Sequence, residues 1–526
     1  MRTPDHIVVG AGAAGCAVAA GLVEQHGATV LLLEAGPTGR DPRLSIPAAA
    51  SDLWFGRYDW AYETEPQPGL GGRRDTWPRG RVLGGSTAIN AMMYVRGMDT
   101  DFDEWEACGA SGWGAAEMTA AFRRLEDDVR GPADHRGVGG PVRIEHQRDP
   151  SPLTTAFLDA CEELGIPRVD DYHADPDGCG LTMVTQRVGR RWSAADAFLR
   201  PLLRARDPRL ILRTDVEVDR IVVEGGRAVG VEAVVDGRRR VARATAGVVL
   251  AAGTVESPHL LLRSGIGPAA HLRERGVEVV ADLPGVGENL QDHVLSGVAA
   301  GTDGDSLYGA DRDLGALARY VRRRRGRLTS NLAEAIAFVR TGADEPLPDV
   351  ELMALPVALR DHGRTRFPEH GLTIGAILLR PESRGRIRLR GTAPGQPPRI
   401  DPRTCEDPDG VDLRRLRDGV RWCQRLVTET AALGGRVTHL IEPSRRLTDA
   451  AELTAHVRRT VQTLYHPVGT CRIGTDDLAV VDPRLRVHGF DGLWVADASV
   501  MPTVPRGHTQ ATAMAIGDRF ARELVS

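Results

Sequence analysis

The chain has 526 residues, 71 acidic and 67 basic side chains for a formal charge of −4, and 42% hydrophobic residues. That is the make-up of a globular protein too long for one hydrophobic core, and it excludes a nucleic-acid binder working through net positive charge. No apolar run reaches the roughly 18 residues of a membrane span, and every basic residue is arginine, which excludes lysine Schiff-base or nucleophile chemistry.

Ile7-Val8-Val9 predicts a short strand buried on both faces. Gly10, Gly12 and Gly15 follow as G-x-G-x-x-G, then an Ala-rich helical segment to about Gln25. A second buried strand, Ala28 to Leu33, ends on Glu34. Gly10 allows a tight turn, Gly12 a close approach to a pyrophosphate, and Gly15 close packing of helix on strand. Phosphates sit at the helix N-terminus, and Glu34 is placed to accept from a ribose hydroxyl. Strand, glycines, helix, strand and acid in that order predict dinucleotide binding. No Arg immediately follows Glu34, which points away from a 2′-phosphorylated cofactor.

Residues from about 38 to 80 are rich in Pro and Gly, with Trp54, Tyr58, Trp60 and Tyr62 close together, and read as cover loops over the sheet. Gly84-Gly85-Ser86-Thr87 then enters a helical segment, a turn whose N–H groups suit a phosphate or the polar edge of a flavin. Asp101 to Asp128 has a helical pattern and Gly131 to Gly140 a loop composition. Leu210 to Val249 alternates in the manner of strands, with turns at Gly225-Gly226 and Asp236-Gly237. Val248 to Gly253 predicts a further buried strand running into a Leu-rich helix, the strand-end position at which open α/β sheets bind ligands.

From about Val294 to Thr460 the texture changes, with strands expected at Ala335 to Val339, Leu372 to Leu379 and Arg386 to Leu389. Helices are expected at Leu314 to Arg325 and Leu413 to Leu426. This predicts a second layer system on an antiparallel sheet, the natural place for substrate contacts. The run Arg322 to Arg325 reads as a solvated helix end. Glycine-rich patterning returns near the C-terminus: His466 to Gly474, then a buried strand ending at Asp497-Ala498, then His508-Thr509 opening a small-residue helix.

Seven cysteines, at 16, 108, 161, 179, 405, 423 and 471, form no C-x-x-C pair. Their odd number argues against a disulfide framework or a zinc site. With the first strand entered by Ile7, leaving no room for a signal peptide, a cytoplasmic location is expected.

These segments resemble the glucose-methanol-choline oxidoreductase family over nearly the whole chain. The resemblance rests on Gly80 to Asn90 (GRVLGGSTAIN), Gly253 to Gly267 (GTVESPHLLLRSGIG), Leu283 to His293 (LPGVGENLQDH) and His466 to Gly474 (HPVGTCRIG). It implies an α/β fold: a Rossmann-like FAD-binding domain with a discontinuous substrate domain built on an antiparallel sheet of about six strands. The expected division is 1–293 for FAD binding, 294–460 mainly for substrate, and 461–526 as a return to the FAD domain. FAD is the implied cofactor, with Gly10, Gly12, Gly15 and Glu34 at its ADP half and Val218 near the adenine. Gly84, Gly85, Asn90 and Ala91 would lie along the isoalloxazine, and Asp497, Ala498, His508 and Thr509 would close the site. Ile89 and Asn90 stand where some members carry a flavin-linked histidine, so a non-covalent cofactor is expected. No metal is called for.

An alcohol donates hydride only once its hydroxyl proton is removed, so a neutral imidazole must reach its oxygen. The resemblance assigns His466 as that base and His508 as the group orienting the alkoxide, with their roles open to exchange. His259 and His293 are read as structural. Glu334 aligns roughly with a carboxylate that recognises a cationic head group in choline oxidases, but a Glu there is common in the family, so a choline-type substrate is not the favoured reading. The resulting expectation is oxidation of a small primary alcohol to an aldehyde, electrons passing to oxygen or a quinone-like acceptor. A hydroxynitrile-lyase-type enzyme of the same family is the alternative. A nicotinamide dehydrogenase would leave Gly80–Asn90 and Gly253–Gly267 without a task.

Overall fold

Ile7, Val8 and Val9 fill the centre of a five-stranded parallel sheet in the computed structural model, which describes residues 3–235 and 238–524. Its strands lie in the order Leu493–Val495, Gly247–Leu250, His6–Val9, Val30–Leu33, Leu210–Arg213. Each of the three inner strands is hydrogen-bonded in parallel on both sides, which is why they read as unbroken apolar runs. The helix Ala13–His26 crosses from the first strand to the second and packs against the helix Thr509–Arg519. Small residues let these helices approach: a Cβ on Gly517 would lie 2.5 Å from the Ala14 carbonyl oxygen.

A three-stranded antiparallel sheet, Glu217–Glu224, Arg227–Val235 and Arg238–Arg243, lies in the chain between the parallel strands Leu210–Arg213 and Gly247–Leu250. Gly225 and Gly226 turn its first hairpin at φ +56° and +79°, as the pair suggests. The Asp236-Gly237 turn lies outside the described residues.

The large antiparallel sheet runs Val437–Glu442, Val294–Thr302, Gly371–Leu378, Val350–Leu355, Ala335–Val339, Cys179–Leu181, and Gln462–Thr463 adds a seventh strand beside Val294–Thr302. The strands Cys179–Leu181 and Gln462–Thr463 come from outside 294–460. One face packs on the helix Val411–Thr428, where Gly419 leaves room for Ala376. Residues of the opposite face, Leu295, Met353, Leu355, Thr373 and Gly375, line a cavity between this sheet and the parallel one.

Two expectations change in detail. Asp101 to Asp128 is not one helix: Asp99–Ala107 and Ala115–Leu125 are separate, and Glu126–Asp128 is a strand. Gly109 and Gly112, at φ +96° and +79°, break the helix between them. Arg386–Arg388 pairs only with Arg399–Asp401 in a two-stranded ribbon, not with the main sheet. Among the described residues no helix is long and apolar enough to cross a membrane, and no cluster of metal-binding side chains occurs.

Candidate active site

The cavity, of about 330 Å³, runs from the glycine turn of the parallel sheet to the face of the antiparallel sheet. At the first end Gly10 sits at φ +98°, where a Cβ would meet the Ala251 carbonyl oxygen at 2.5 Å, so only glycine fits the turn. Gly15 lies against the Gly10 carbonyl, at which a Cβ would come within 1.9 Å. Gly12 faces Gly85 of the second glycine turn, which itself sits at φ +54°, and Gly84 donates its N–H to the Ala11 carbonyl at 2.8 Å. Two glycine turns thus stand back to back at a helix N-terminus, a cradle for a dinucleotide pyrophosphate.

Glu34 lines the same end and is itself part of the clamp. Ala11 N–H donates to its Oε2 at 2.9 Å and Gly36 N–H to its Oε1 at 2.8 Å. Burial lifts its pKa to about 7, against the pull of these two donors. Val218 lies beside it on the wall. Asp497 ties two later turns together, accepting from Gly253 N–H at 2.8 Å, Ser257 Oγ at 2.5 Å and Ser499 N–H at 2.8 Å. Burial pushes its pKa up. Asn90 is braced by Gln510 and Arg191: its Nδ2 donates to Gln510 Oε1 at 2.7 Å, and its Oδ1 accepts from Arg191 at 2.8 Å and from Met92 N–H at 3.0 Å. Ala91, Ala498, His508 and Thr509 also line the cavity. Every residue expected around FAD is therefore in or against one cavity, and the back-to-back glycine turns fit its pyrophosphate.

At the far end His466 and His508 face each other, ring centroids 4.6 Å apart. His508 caps the helix Thr509–Arg519, and its Nε2 lies 3.2 Å from Glu351 Oε1 and 3.3 Å from Oε2. A carboxylate only accepts, so this Nε2 carries hydrogen and Nδ1 is the nitrogen left over.

His293, read from sequence as structural, is bonded to His466, Nδ1 to Nδ1 at 3.0 Å. Its Nε2 lies 3.1 Å from the Leu379 carbonyl oxygen, so Nε2 carries its hydrogen. Burial holds the His293 pKa at about 3, so the ring is neutral and its Nδ1 is bare. His466 Nδ1 must then be the donor across the 3.0 Å contact. Burial, reinforced by His508 and His293, holds His466 well below the ordinary histidine range. A neutral His466 with hydrogen on Nδ1 keeps its lone pair on Nε2.

Asp292 positions the segment, accepting His466 N–H at 2.8 Å on Oδ1 and the Thr463 hydroxyl on Oδ2. Burial raises its pKa to about 7. Glu351 and Arg191 stand in none of the motifs, and Asp292 and His293, though inside the segment Leu283 to His293, are given no part in the site by sequence. The pairing of Asp292-His293 in sequence, within a family segment, was the one signal that could have found two of them.

Glu334 does not enter the substrate side. It is fully buried, accepts Ser151 N–H at 2.7 Å and the Thr154 hydroxyl at 2.5 Å, and is not part of the cavity wall. A cationic head-group role for Glu334, not favoured from sequence, gains no support from this placement. His259 is buried against Glu256, its Nδ1 3.0 Å from Oε2.

Sequence profiles described as GMC oxidoreductase match residues 4–295 and 381–517. An uncharacterized GMC-type oxidoreductase of Mycobacterium tuberculosis is 43% identical over 98% of both chains. An alcohol dehydrogenase [acceptor] of Pseudomonas putida is 36% identical over 99% of this chain and 95% of its own. An oxygen-dependent choline dehydrogenase of Sinorhizobium fredii is 38% identical over the same shares. The crystal structure of pyridoxine 4-oxidase from Mesorbium loti superposes with a TM-score of 0.89 at 33% identity, covering 99% of this chain and 98% of that one. The chain belongs to the GMC oxidoreductase family, and it is an enzyme of that family.

Proposed function

We propose that the protein oxidises a primary alcohol to the aldehyde using non-covalently held FAD, with His466 as the base. The observation that carries this is the bare Nε2 of His466 in the cavity, fixed as acceptor by the chain Leu379 carbonyl–His293–His466. Relatives named as alcohol and choline dehydrogenases and as a pyridoxine 4-oxidase support oxidation at a CH–OH group.

When bound, FAD supplies the hydride acceptor. His466 Nε2 takes the hydroxyl proton and so prepares the carbon to release hydride. His508, held through Nε2 by Glu351, offers Nδ1 to the alcohol oxygen. In this reading His508 acts as the imidazolium: its second hydrogen, on Nδ1, steadies the developing alkoxide, and Glu351 balances the charge. Ile89 and Asn90 offer no imidazole for a covalent link, and the Asn90 amide is already bonded on both sides. The electrons pass on to oxygen or a quinone-like acceptor.

Anaerobic addition of alcohols to the purified yellow protein tests the reading. Loss of flavin absorbance is expected, and acid precipitation should leave the flavin in the supernatant. A flavin that no alcohol bleaches would favour a lyase-type reaction.

A further inference from the structure

We infer that the substrate is an uncharged primary alcohol with an unbranched apolar tail lying along the strand Val350–Leu355, and that Gly375 sets how far the tail can run. This rests on the alcohol oxidation proposed above.

Side chains two apart on a strand share a face, so Glu351, Met353 and Leu355 point the same way. Glu351 holds His508 and marks the reactive end. From Glu351 to Leu355 is about 13 Å at ~3.3 Å per residue. The neighbouring strand Gly371–Leu378 places Ile377, Gly375 and Thr373 opposite these three residues in turn. Successive rows are therefore Glu351 with Ile377, Met353 with Gly375, and Leu355 with Thr373.

The middle row carries one side chain instead of two. A Cβ on Gly375 would stand 3.4 Å from Leu295 Cδ1 and 3.9 Å from Met353 Cε, two cavity-lining side chains. These are ordinary van der Waals contacts, and Gly375 is not among the glycines with positive φ, so neither packing nor backbone demands glycine there. Without a side chain at Gly375, the passage from the histidines to the third row is bounded there by Leu295 and Met353.

The walls beyond that passage recognise no charge. Leu332, Leu355 and Leu359 are apolar, and Thr373 spends its hydroxyl on the Val357 carbonyl at 2.8 Å. His362 has both ring nitrogens engaged, with the Tyr465 hydroxyl at 2.8 Å and Asp75 at 2.9 Å. Arg79 lines the cavity but is faced by the Asp59 and Asp292 carboxylates. The carboxylates that line the cavity are engaged elsewhere: Glu34 with Ala11 and Gly36, Glu217 with Arg81, Glu256 with Tyr62 and His259, and Asp497 with Gly253 and Ser257, while Glu351 is committed to His508 and Glu334 points away. A quaternary ammonium would enter without a counter-charge.

The test is anaerobic flavin reduction by the straight-chain alcohols from ethanol to 1-decanol, with choline, glucose and an ω-hydroxy acid as contrasts. Tm shifts caused by n-alkyl carboxamides read binding without turnover. In the wild type the second-order reduction constant should rise about fourfold per added methylene, the worth of one buried CH₂, until the third row is filled. Gly375→Val should lower the preference for 1-octanol over 1-butanol by roughly fifteenfold, the worth of two buried methylenes, and shorten the carboxamide series alike. Leu355→Phe, a separate variant should Gly375→Val not fold, should spare 1-butanol and penalise the longest chains. Bleaching that prefers choline, glucose or the hydroxy acid, or is indifferent to chain length, overturns the inference while alcohol oxidation stands. Chain-length profiles unchanged in both variants overturn the strand-lined path. If no alcohol bleaches the wild-type flavin, alcohol oxidation itself fails and the inference with it.

Discussion

Three imidazoles, at 293, 466 and 508, stand in series, and in the proposed mechanism they share one proton transfer. His466→Ala should slow flavin reduction by roughly 10²–10⁴-fold, the usual contribution of a positioned base. His508→Asn should cost less, because an amide still holds the alcohol oxygen. Stopped-flow reduction with a competent alcohol compares them, and a dead His508→Asn beside a near-normal His466→Ala would exchange their roles. The pH profile carries a sign. Burial and two neighbouring imidazoles keep His466 neutral below the ordinary 6.5, so the reduction rate should stay flat as pH falls through that value. It should drop only in more acid solution, as Nε2 gains a proton; a midpoint at or above 6.5 would contradict the buried neutral base. At this scale motif reading found His466 and His508, since each stands in a patterned glycine-rich segment. It missed the link to His293, whose partner is 173 residues away and whose tautomer is set by a backbone carbonyl. Glu334, roughly aligned with a substrate-side carboxylate, stands outside the cavity wall, because spacing along a chain does not say which side a residue ahead of a strand faces.

The strand–turn–helix at the N-terminus is held by more than its glycines. Glu34, expected mainly to meet a ribose, also closes the turn by accepting Ala11 and Gly36 N–H groups. Glu34→Ala should therefore lower Tm as well as FAD retention, since each buried N–H left unpaired costs about 1–3 kcal/mol. Calorimetry with and without added FAD separates the two effects, and an unchanged Tm in the cofactor-free protein would reduce Glu34 to a ligand contact. Elements of this kind were legible because burial on both faces leaves an unmistakable apolar run, as at Val248 to Leu250. The stretch from Asp101 to Asp128 was not, because its helical periodicity continues across two left-handed glycines that end one helix before the next begins. The strand at Cys179–Leu181 is three residues long, too short for any alternation to register.

Across the whole molecule the two sheets, and the cavity between them, draw on distant parts of the chain. The family segments made the α/β plan readable, yet the large sheet recruits Cys179–Leu181 and Gln462–Thr463 from outside the central stretch through pairings no local pattern announces. The helices Ala13–His26 and Thr509–Arg519 seal the parallel layer by close backbone contact. Gly517→Val should force them apart, costing roughly 1–3 kcal/mol as an overpacked contact and loosening FAD as well. Thermal melts and flavin retention on gel filtration would show it, and a wild-type melt would mean the helices do not rely on that contact.

The fifth parallel strand, Leu493–Val495, has a consequence for the order of events in the cell. The dinucleotide fingerprint leaves the ribosome well before the strand beside Gly247–Leu250 and the helix packed on Ala13–His26. Until they arrive, Gly247–Leu250 is an open edge and the wall bearing Asp497 and His508 does not exist. Cofactor capture must therefore wait for Leu493–Val495 and Thr509–Arg519, and a nascent chain stalled before Leu493 should emerge colourless even in excess flavin.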